Sequence, residues 1–464
     1  VRVDRYDANQ EVLKDKYSLY EVMTAGDVKG FGIHPSNIGD DFVVYVDDNT
    51  NAKSITGYRN GDDWYNAEGL PTNNPEALNV SKGVLPMLAD PDALLNGDAL
   101  NKGLSADAFQ DYSPEVIVMP RISFSFPISD EAMFYAYYDV LAQRPLQNRS
   151  NPLDYLFLAY KKSRTISNPN LKPQKTTNYE VGFKQTLSSS SALTINAFYK
   201  EMRDMIQYTN VGFAFPIGYN TYGNIDFGTV KGLSLAYEMR RTNNLSLNAN
   251  YTMQFADGSG SSPTSGVNIV NSSQPNLRTT LPLDYDQRHN LMTSVDFRYG
   301  KDANYNGPLW NGKQIFANTG INLLATAGSG TPYSRQVSAT SIVDSRSALA
   351  GSINGSRLPW TYRIDMRINK SFDISWGDPE EQNLTFVNVY VQVQNLLNTK
   401  NIVKVYRYTG NPDDDGYLAS AIGIDDIEKR TDPTSYVDLY GLYSNHPGNY
   451  TRPRTFRLGV TLDF

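Results

Sequence analysis

The chain is 464 residues long, with 42 Lys and Arg against 49 Asp and Glu for a net charge of -7, no Cys, and 32 Tyr beside 19 Phe and 4 Trp. Its mean hydropathy is -0.46 and no run of about 18 apolar residues occurs, which excludes helical membrane spans; the acidic balance, with no basic stripe, argues against a nucleic-acid partner. Without Cys there is neither a disulfide framework nor a thiolate metal site.

That length suits two or three ordinary soluble domains, or one very large sheet closed on itself. An excess of amphipathic aromatics at low mean hydropathy fits the second, because in a transmembrane β-barrel only alternate residues face lipid. The chain opens without an initiator Met or signal peptide, already alternating Val1 and Val3 against Arg2 and Asp4, as though entered in mid-strand. It reads as a fragment or a processed chain.

A long stretch without clean alternation follows, holding Tyr45, Asp47, Asp48, Tyr58, Trp64 and Tyr65. Rigid aromatics mixed with polar groups are typical of ligand-contacting surfaces, and equally of packing within a folded loop. Next, Ile122, Phe124, Phe126 and Ile128 alternate with Arg121, Ser123 and Ser125. Ser129-Asp130-Glu131 turns the chain into a run from Met133 to Val140 that is apolar on both faces, so its register is open. The segment from Asn148 to Tyr160 is a second, weaker candidate for ligand contact. Tyr179, Val181 and Phe183 lead through a Ser188–Ser191 turn into Leu193, Ile195, Ala197 and Tyr199, a hairpin.

The clearest pair sets Leu233, Leu235, Tyr237 and Met239 against Leu245, Leu247, Ala249, Tyr251, Met253 and Phe255, with Asn243-Asn244 as the turn. Further strands carry Leu291, Val295, Phe297 and Tyr299; Ile321, Leu323 and Ala325; Trp360, Tyr362, Ile364, Met366 and Ile368; and Val387, Val389, Val391 and Val393. The last sets Phe456, Leu458, Val460, Leu462 and Phe464 against Arg457, Gly459, Thr461 and Asp463. With the opening strand this makes about twelve.

Short turns alternate with long Gly/Asn/Asp/Pro-rich connections. Outer-membrane barrels keep short turns on the periplasmic side, so residues 11–117 and 398–452 are expected outside the cell and the C-terminus on the periplasmic side. A soluble β-sandwich is the competing reading of alternation. Whole polar faces, such as Arg363, Asp365 and Arg367 or Asn388 and Gln392, and aromatics gathered at strand ends weigh against it. Open edges cannot sit in hydrocarbon. Either about twelve strands close by themselves, in which case Val1 to Tyr6 pairs with Phe456 to Phe464, or the first strand pairs with earlier ones.

Asn411, Asp413, Asp415 and Gly416 match the first half of a calcium loop, but Ile422 stands where the bidentate Glu belongs, so a solvated loop tip competes with calcium as the reading. His34, His289 and His446 are widely separated, with no catalytic spacing, and no phosphate loop joins a strand to a helix.

Several stretches together resemble the barrel of TonB-dependent outer-membrane receptors, especially those of Bacteroidetes. They are Ala142-Gln143-Arg144-Pro145, the run from Asn168-Pro169-Asn170 to Gly182-Phe183, Asp284-Tyr285-Asp286-Gln287-Arg288-His289, Val393-Gln394-Asn395-Leu396-Leu397-Asn398, and Pro453-Arg454 through Phe464. The resemblance implies the C-terminal part of an all-β, antiparallel barrel of about 22 strands. By the same resemblance the plug, the TonB-binding segment and the earlier strands lie outside this sequence. It implies a receptor, not an enzyme, that binds a scarce ligand at its outer loops and imports it. Chelated iron, vitamins, glycans and peptides are candidates.

Specificity would rest on Tyr45, Tyr58, Trp64 and Tyr65 and on lumen-facing Arg363, Asp365, Arg367, Asn388, Tyr390, Gln392 and Gln394. Phe456, Leu458, Val460, Leu462 and Phe464 resemble the signal that the outer-membrane assembly machinery reads. Implied partners are lipid, TonB, that machinery, and a surface lipoprotein or other outer-membrane subunits; no resident cofactor is implied beyond the possible structural calcium. A barrel retained as a structural subunit is the alternative function.

Overall fold

Period-two alternation becomes strand in the computed structural model, whose described residues are 1–29, 34–47, 54–72, 75–78, 84–90, 106–146, 149, 151–160, 165–271, 278–341, 347–376 and 383–463. Among these, nine strands precede the main sheet: β1 (Arg2–Tyr6), β2 (Glu11–Leu13), β3 (Val43–Val46), β4 (Ile55–Asn60), β5 (Asp63–Asn66), β6 (Pro71–Thr72), β7 (Leu85–Pro86), β8 (Phe109–Asp111) and β9 (Glu115–Met119). β1 pairs antiparallel with β9, and β2 with β8. The first long connection therefore leaves and returns along two successive two-stranded ladders. At its head β6-β5-β4-β3-β7 form a five-stranded sheet around Val44, Tyr45 and Val46, all fully buried.

The main sheet holds β10 (Arg121–Pro127), β11 (Ala132–Gln143), β12 (Gln174–Ser188), β13 (Ser191–Val211), β14 (Tyr219–Thr242), β15 (Leu245–Gly258) and β16 (Leu281–Pro282). It continues with β17 (His289–Arg298) and β18 (Thr319–Gly328); β19 (Pro332–Tyr333) and β20 (Ser356–Arg357) pair with each other in the following connection, before β21 (Thr361–Trp376), β22 (Asn383–Gln394) and β23 (Thr455–Asp463). Each long strand pairs antiparallel with the next long one from β10 to β23, and β16 pairs with β15. Helices α1 (Pro152–Ala159), α2 (Val267–Asn271), α3 (Ala421–Glu428) and α4 (Pro433–Ser444) lie in the connections.

Directly opposed residues in a ladder share a face, so the register decides what each face carries. Val391 stands between Ile368 and Leu458, and Gln392 between Arg367 and Arg457. The same division runs back to β10, where Phe124 opposes Ala136 and Ser123 opposes Tyr137. In the run apolar on both faces, Tyr135 and Tyr137 take the polar side because they oppose Gly182 and Glu180. Glycine is required there: a Cβ on Gly182 would lie 2.1 Å from the Tyr135 ring.

The apolar face is uncovered, with Phe124 57% and Leu458 76% exposed. A sandwich would bury such a face against a second sheet, whereas uncovered it is a lipid surface. The sheet is open: β1 is bonded to β9, which runs through Pro120 into β10, and not to β23. Closure of twelve strands by themselves needs the β1–β23 pairing, and the chain does not make it.

Turns at 189–190 and 243–244 are short, and Asn243 and Asn244 both take positive φ, 48° and 77°, which matches the twist of a two-residue hairpin. The expectation of short turns throughout this end fails between β17 and β18, where residues 299–318 form a folded excursion. Two longer strands, β13 of 21 residues and β14 of 24, rise past the other end of the sheet. There Phe215 bridges to Ser18 and the Tyr219 hydroxyl donates to the Lys16 carbonyl at 2.8 Å.

Candidate functional site

All seven wall residues singled out in the sequence, Arg363, Asp365 and Arg367 on β21 and Asn388, Tyr390, Gln392 and Gln394 on β22, fall on the polar face of adjacent strands. Two kinds of arginine stand there. Arg363 is neutralised in place, donating from Nε to Asp365 Oδ1 at 2.7 Å and from Nη2 to Oδ2 at 2.5 Å. The same Oδ1 accepts the Asn395 amide at 2.8 Å, which ties the start of the last connection to the wall.

Arg367 pairs with no carboxylate among the described residues; its guanidinium lies 4.1 Å from the centre of the Tyr390 ring, a cation–π contact of about 0.5–1 kcal/mol at an exposed site. Tyr390 in turn covers Gly459, where a Cβ would come within 2.3 Å of the ring. Asn388 Nδ2 donates to Ser371 Oγ at 3.2 Å while its buried Oδ1 has no partner among the described residues, and Gln394 accepts from Thr455 Oγ1 at 3.3 Å. Arg457, across Gln392 from Arg367, belongs to the same patch. It shares the phase of the polar face in the sequence, and that phase was the signal for it.

The loop aromatics divide. Tyr45 and Tyr58 are buried in the head of the first connection, so the packing role open to them is the one their positions fit. Trp64 packs at 5.0 Å from Tyr45 and Tyr65 at 5.2 Å from Phe42. Both also line an open depression of about 290 Å³ with Asp62, Asp63, Pro71 and Thr72. Asp48 and Asn148 lie outside the described residues. In the second candidate segment, Tyr155 and Leu158 of α1 are core residues packed with Leu19, Val211 and Tyr219.

Arg59, not singled out in the sequence, holds this head together. Its buried guanidinium pairs with Asp15, donates to the Tyr45 hydroxyl at 3.2 Å and the Gly61 carbonyl at 2.9 Å, and lies 4.5 Å from the Tyr17 ring centre. Burial pulls its pKa down, but Tyr45 and Asp15 outweigh burial and hold it above its ordinary value. Burial pushes Tyr45 up to about 12, so the pair is a phenol beside a cation.

The three calcium candidates do not converge. Asn411 Oδ1 accepts the Asp413 amide at 2.9 Å, Asp413 Oδ2 accepts the Tyr450 hydroxyl at 2.5 Å, and Asp415 accepts the Tyr417 amide at 2.9 Å and the Tyr440 hydroxyl at 2.5 Å. Asp415 is buried, and among the described residues no three acidic or His side chains gather as a metal site. In this structure the half-loop is a tyrosine-braced turn, with Gly416 at φ +75°.

Phe456, Leu458, Val460 and Leu462 form one outward row on the edge strand; Phe464 lies outside the described residues. The histidines are spent locally, His34 Nδ1 on the Tyr58 hydroxyl at 3.0 Å, His289 Nδ1 on Tyr251 at 2.8 Å and His446 on the Gly448 amide at 3.0 Å.

Residues 39–396 match the family described as TonB dependent receptor-like, beta-barrel. Among solved structures, the chain is similar to the FrpB iron transporter from Neisseria meningitidis, at 15% identity and a TM-score of 0.37, over 62% of this chain and 36% of that one. It is similar to FpvA of P. aeruginosa, solved with bound pyoverdine, at 11% identity and 0.41, over 76% and 33%. For the outer membrane transporter YddB from Escherichia coli the values are 12% and 0.41, over 64% and 39%. The chain thus spans between 33% and 39% of the length of these proteins. No curated protein sequence matches it.

Proposed function

Because the chain belongs to the TonB-dependent receptor family, through that family's β-barrel, and so lies in the bacterial outer membrane, we propose that it captures a ligand at the long-loop end of the sheet and passes it to the periplasm with TonB. The supporting observation is the wall: β10, β21, β22 and β23 each keep one polar and one apolar face, which suits a lined passage through lipid. In this reading connections 11–117 and 398–452 face outward, and TonB engages through a segment outside these residues. The row from Phe456 to Leu462 is offered to the assembly machinery. Transport, with no catalysis, is the activity; the cargo is a chelated metal, vitamin, glycan or peptide.

The test is deletion of the gene followed by growth with each of a ferric chelate, cobalamin, an oligosaccharide or a peptide as the limiting nutrient. One selective defect, reproduced by loss of TonB and partly by Arg367→Ala with Arg457→Ala at unchanged protein level, is expected. Normal growth on all four would overturn it.

A second reading, a barrel kept as a subunit of a larger outer-membrane assembly or covered by a surface lipoprotein, is favoured by α3 and α4. Their Ile422, Leu439, Leu442 and Tyr443 are 63%, 66%, 75% and 58% exposed. A partner recovered from the native membrane and lost on Leu442→Asp would support this reading.

A further inference from the structure

Between β17 and β18 the chain makes an excursion through residues 299–318 at the short-turn end of the sheet. Lys301 at its base bonds Asp373 of the polar phase at 2.6 Å, and beyond that its path follows contacts with the outer face. Tyr299 continues the phase of Val295 and Phe297, which oppose Leu323 and Ile321. Its ring meets Phe297 edge-on at 5.0 Å, Tyr305 at 5.8 Å and Phe316 at 6.1 Å. Gly307 lies against the same ring, since a Cβ there would be 2.9 Å from Tyr299 Cδ1. From the neighbouring strand Lys370, opposite Thr319 in the outward phase, donates from Nζ to the Ile315 carbonyl. The excursion therefore folds over the outer rim of the sheet.

Its tip is built to hold a shape. Trp310 and Lys313 exchange backbone hydrogen bonds at 3.0 and 2.9 Å around Asn311 and Gly312, whose φ values are +49° and +73°. Two positive-φ residues make the tight turn of a hairpin. It presents Leu309 and Trp310, 63% and 68% exposed. The charged side chains of the excursion are Lys301 and Asp302 at its base and Lys313 at its tip.

We propose that this excursion is an interfacial anchor: Leu309 and Trp310 enter the boundary between headgroups and acyl chains in the leaflet on the short-turn side, with Lys313 beside the phospholipid phosphates. Two observations select lipid as the occupant. The apolar surface of the excursion is continuous, through Tyr299 and Phe297, with the face that already meets the hydrocarbon. Trp310 beside Lys313, with the excursion's other charges, Lys301 and Asp302, set back at its base, also matches an interface where indoles concentrate and anionic groups attract Lys.

The experiment uses the protein purified from its membrane and reconstituted into phosphatidylcholine–phosphatidylglycerol vesicles, with Trp64→Phe, Trp360→Phe and Trp376→Phe leaving Trp310 as the one indole of residues 1–464, and with the same protein carrying Trp310→Phe as the blank that is subtracted. Strong quenching of its fluorescence by phospholipids brominated near the headgroup, weaker quenching by deeply brominated lipid, and little by aqueous acrylamide are expected. Lys313→Glu should shift quenching from lipid toward acrylamide. Acrylamide quenching without bromolipid quenching overturns the proposal, as does shielding that appears only at high protein density, which would mean a second copy covers the tip. If the triple variant does not fold, the difference between the wild type and Trp310→Phe gives the same readout.

Discussion

Arg357 grips Asp286 twice: Nη1 donates to its backbone carbonyl at 2.7 Å and Nη2 meets its carboxylate. The other carboxylate oxygen of Asp286, a residue only 1% exposed, accepts the Ala256 amide at 2.9 Å. One side chain thus joins the end of β15, the connection before β17 and the strand β20. Asp286→Ala leaves a cation and an amide without their partner, and a buried pair broken on one side costs about 3 kcal/mol. The midpoint of urea unfolding, followed by the heat-modifiable mobility of the folded protein, should fall accordingly. Arg288→Ala, whose contact with Asp286 is longer at 3.6 Å, should lower it less.

Gly459→Val forces a side chain into the Tyr390 ring. The last strand should then fail to seat, seen as loss of folded protein in the membrane. Tyr390→Ala in the same chain should restore it. Equal damage in the single and double variants would show that the glycine matters for another reason.

Arg59→Ala removes the cation shared by Asp15, Tyr45 and Tyr17. Limited proteolysis should open the head of the first connection while leaving the strands of the main sheet resistant. Arg59→Met keeps the packing and is expected to be cleaved more slowly than Arg59→Ala, yet faster than the wild type, because it still leaves the Asp15 carboxylate without its cation.

Calcium added to the protein should give no heat in a titration that Asp413→Ala or Asp415→Ala can abolish. Tyr440→Phe, by contrast, should destabilise the last connection by about 1 kcal/mol through loss of one hydrogen bond, measured as faster hydrogen exchange across residues 413–417.

Asp432 caps α4, accepting the Ser435 amide at 3.1 Å, and that bond holds its carboxyl below the ordinary carboxylate value. Its contribution is complete above the unfolded pKa of about 3.9. It disappears as pH falls through the lower folded value. Hydrogen-exchange protection of residues 435–441, corrected for intrinsic rates, should hold at mildly acidic pH and decline below about pH 4. Asp432→Asn should flatten that decline.

Strands whose information is local were readable from the residues. β14 and β15 carry their phase in every second side chain and their turn in Asn243-Asn244, so faces and register followed directly. The run from Met133 to Val140 was not readable, because its faces are assigned by Gly182 and Glu180 across the ladder. The fate of Tyr45 was hidden for a related reason: β3 pairs with β7 across a long connection, and burial there depends on contacts distant in sequence. Asp286 and Arg357, 71 positions apart, show no spacing that pattern could detect. The polar wall was legible as a phase. Which of its arginines is already neutralised was not, since Asp365 could have served either neighbour.

The height of the β13–β14 hairpin gives this chain a reach that its lipid-spanning part does not need. At about 3.3 Å per residue, the 24 residues of β14 extend on the order of 80 Å, against about 30 Å of hydrocarbon. Even with headgroups and strand tilt allowed for, the upper part of the strand stands clear of the bilayer as a stiff mast, guyed near its summit by Ser18 and Lys16. A body that leans on the first connection pulls on a rod whose foot is a strand of the wall, so a push applied far above the membrane has a mechanical route into it.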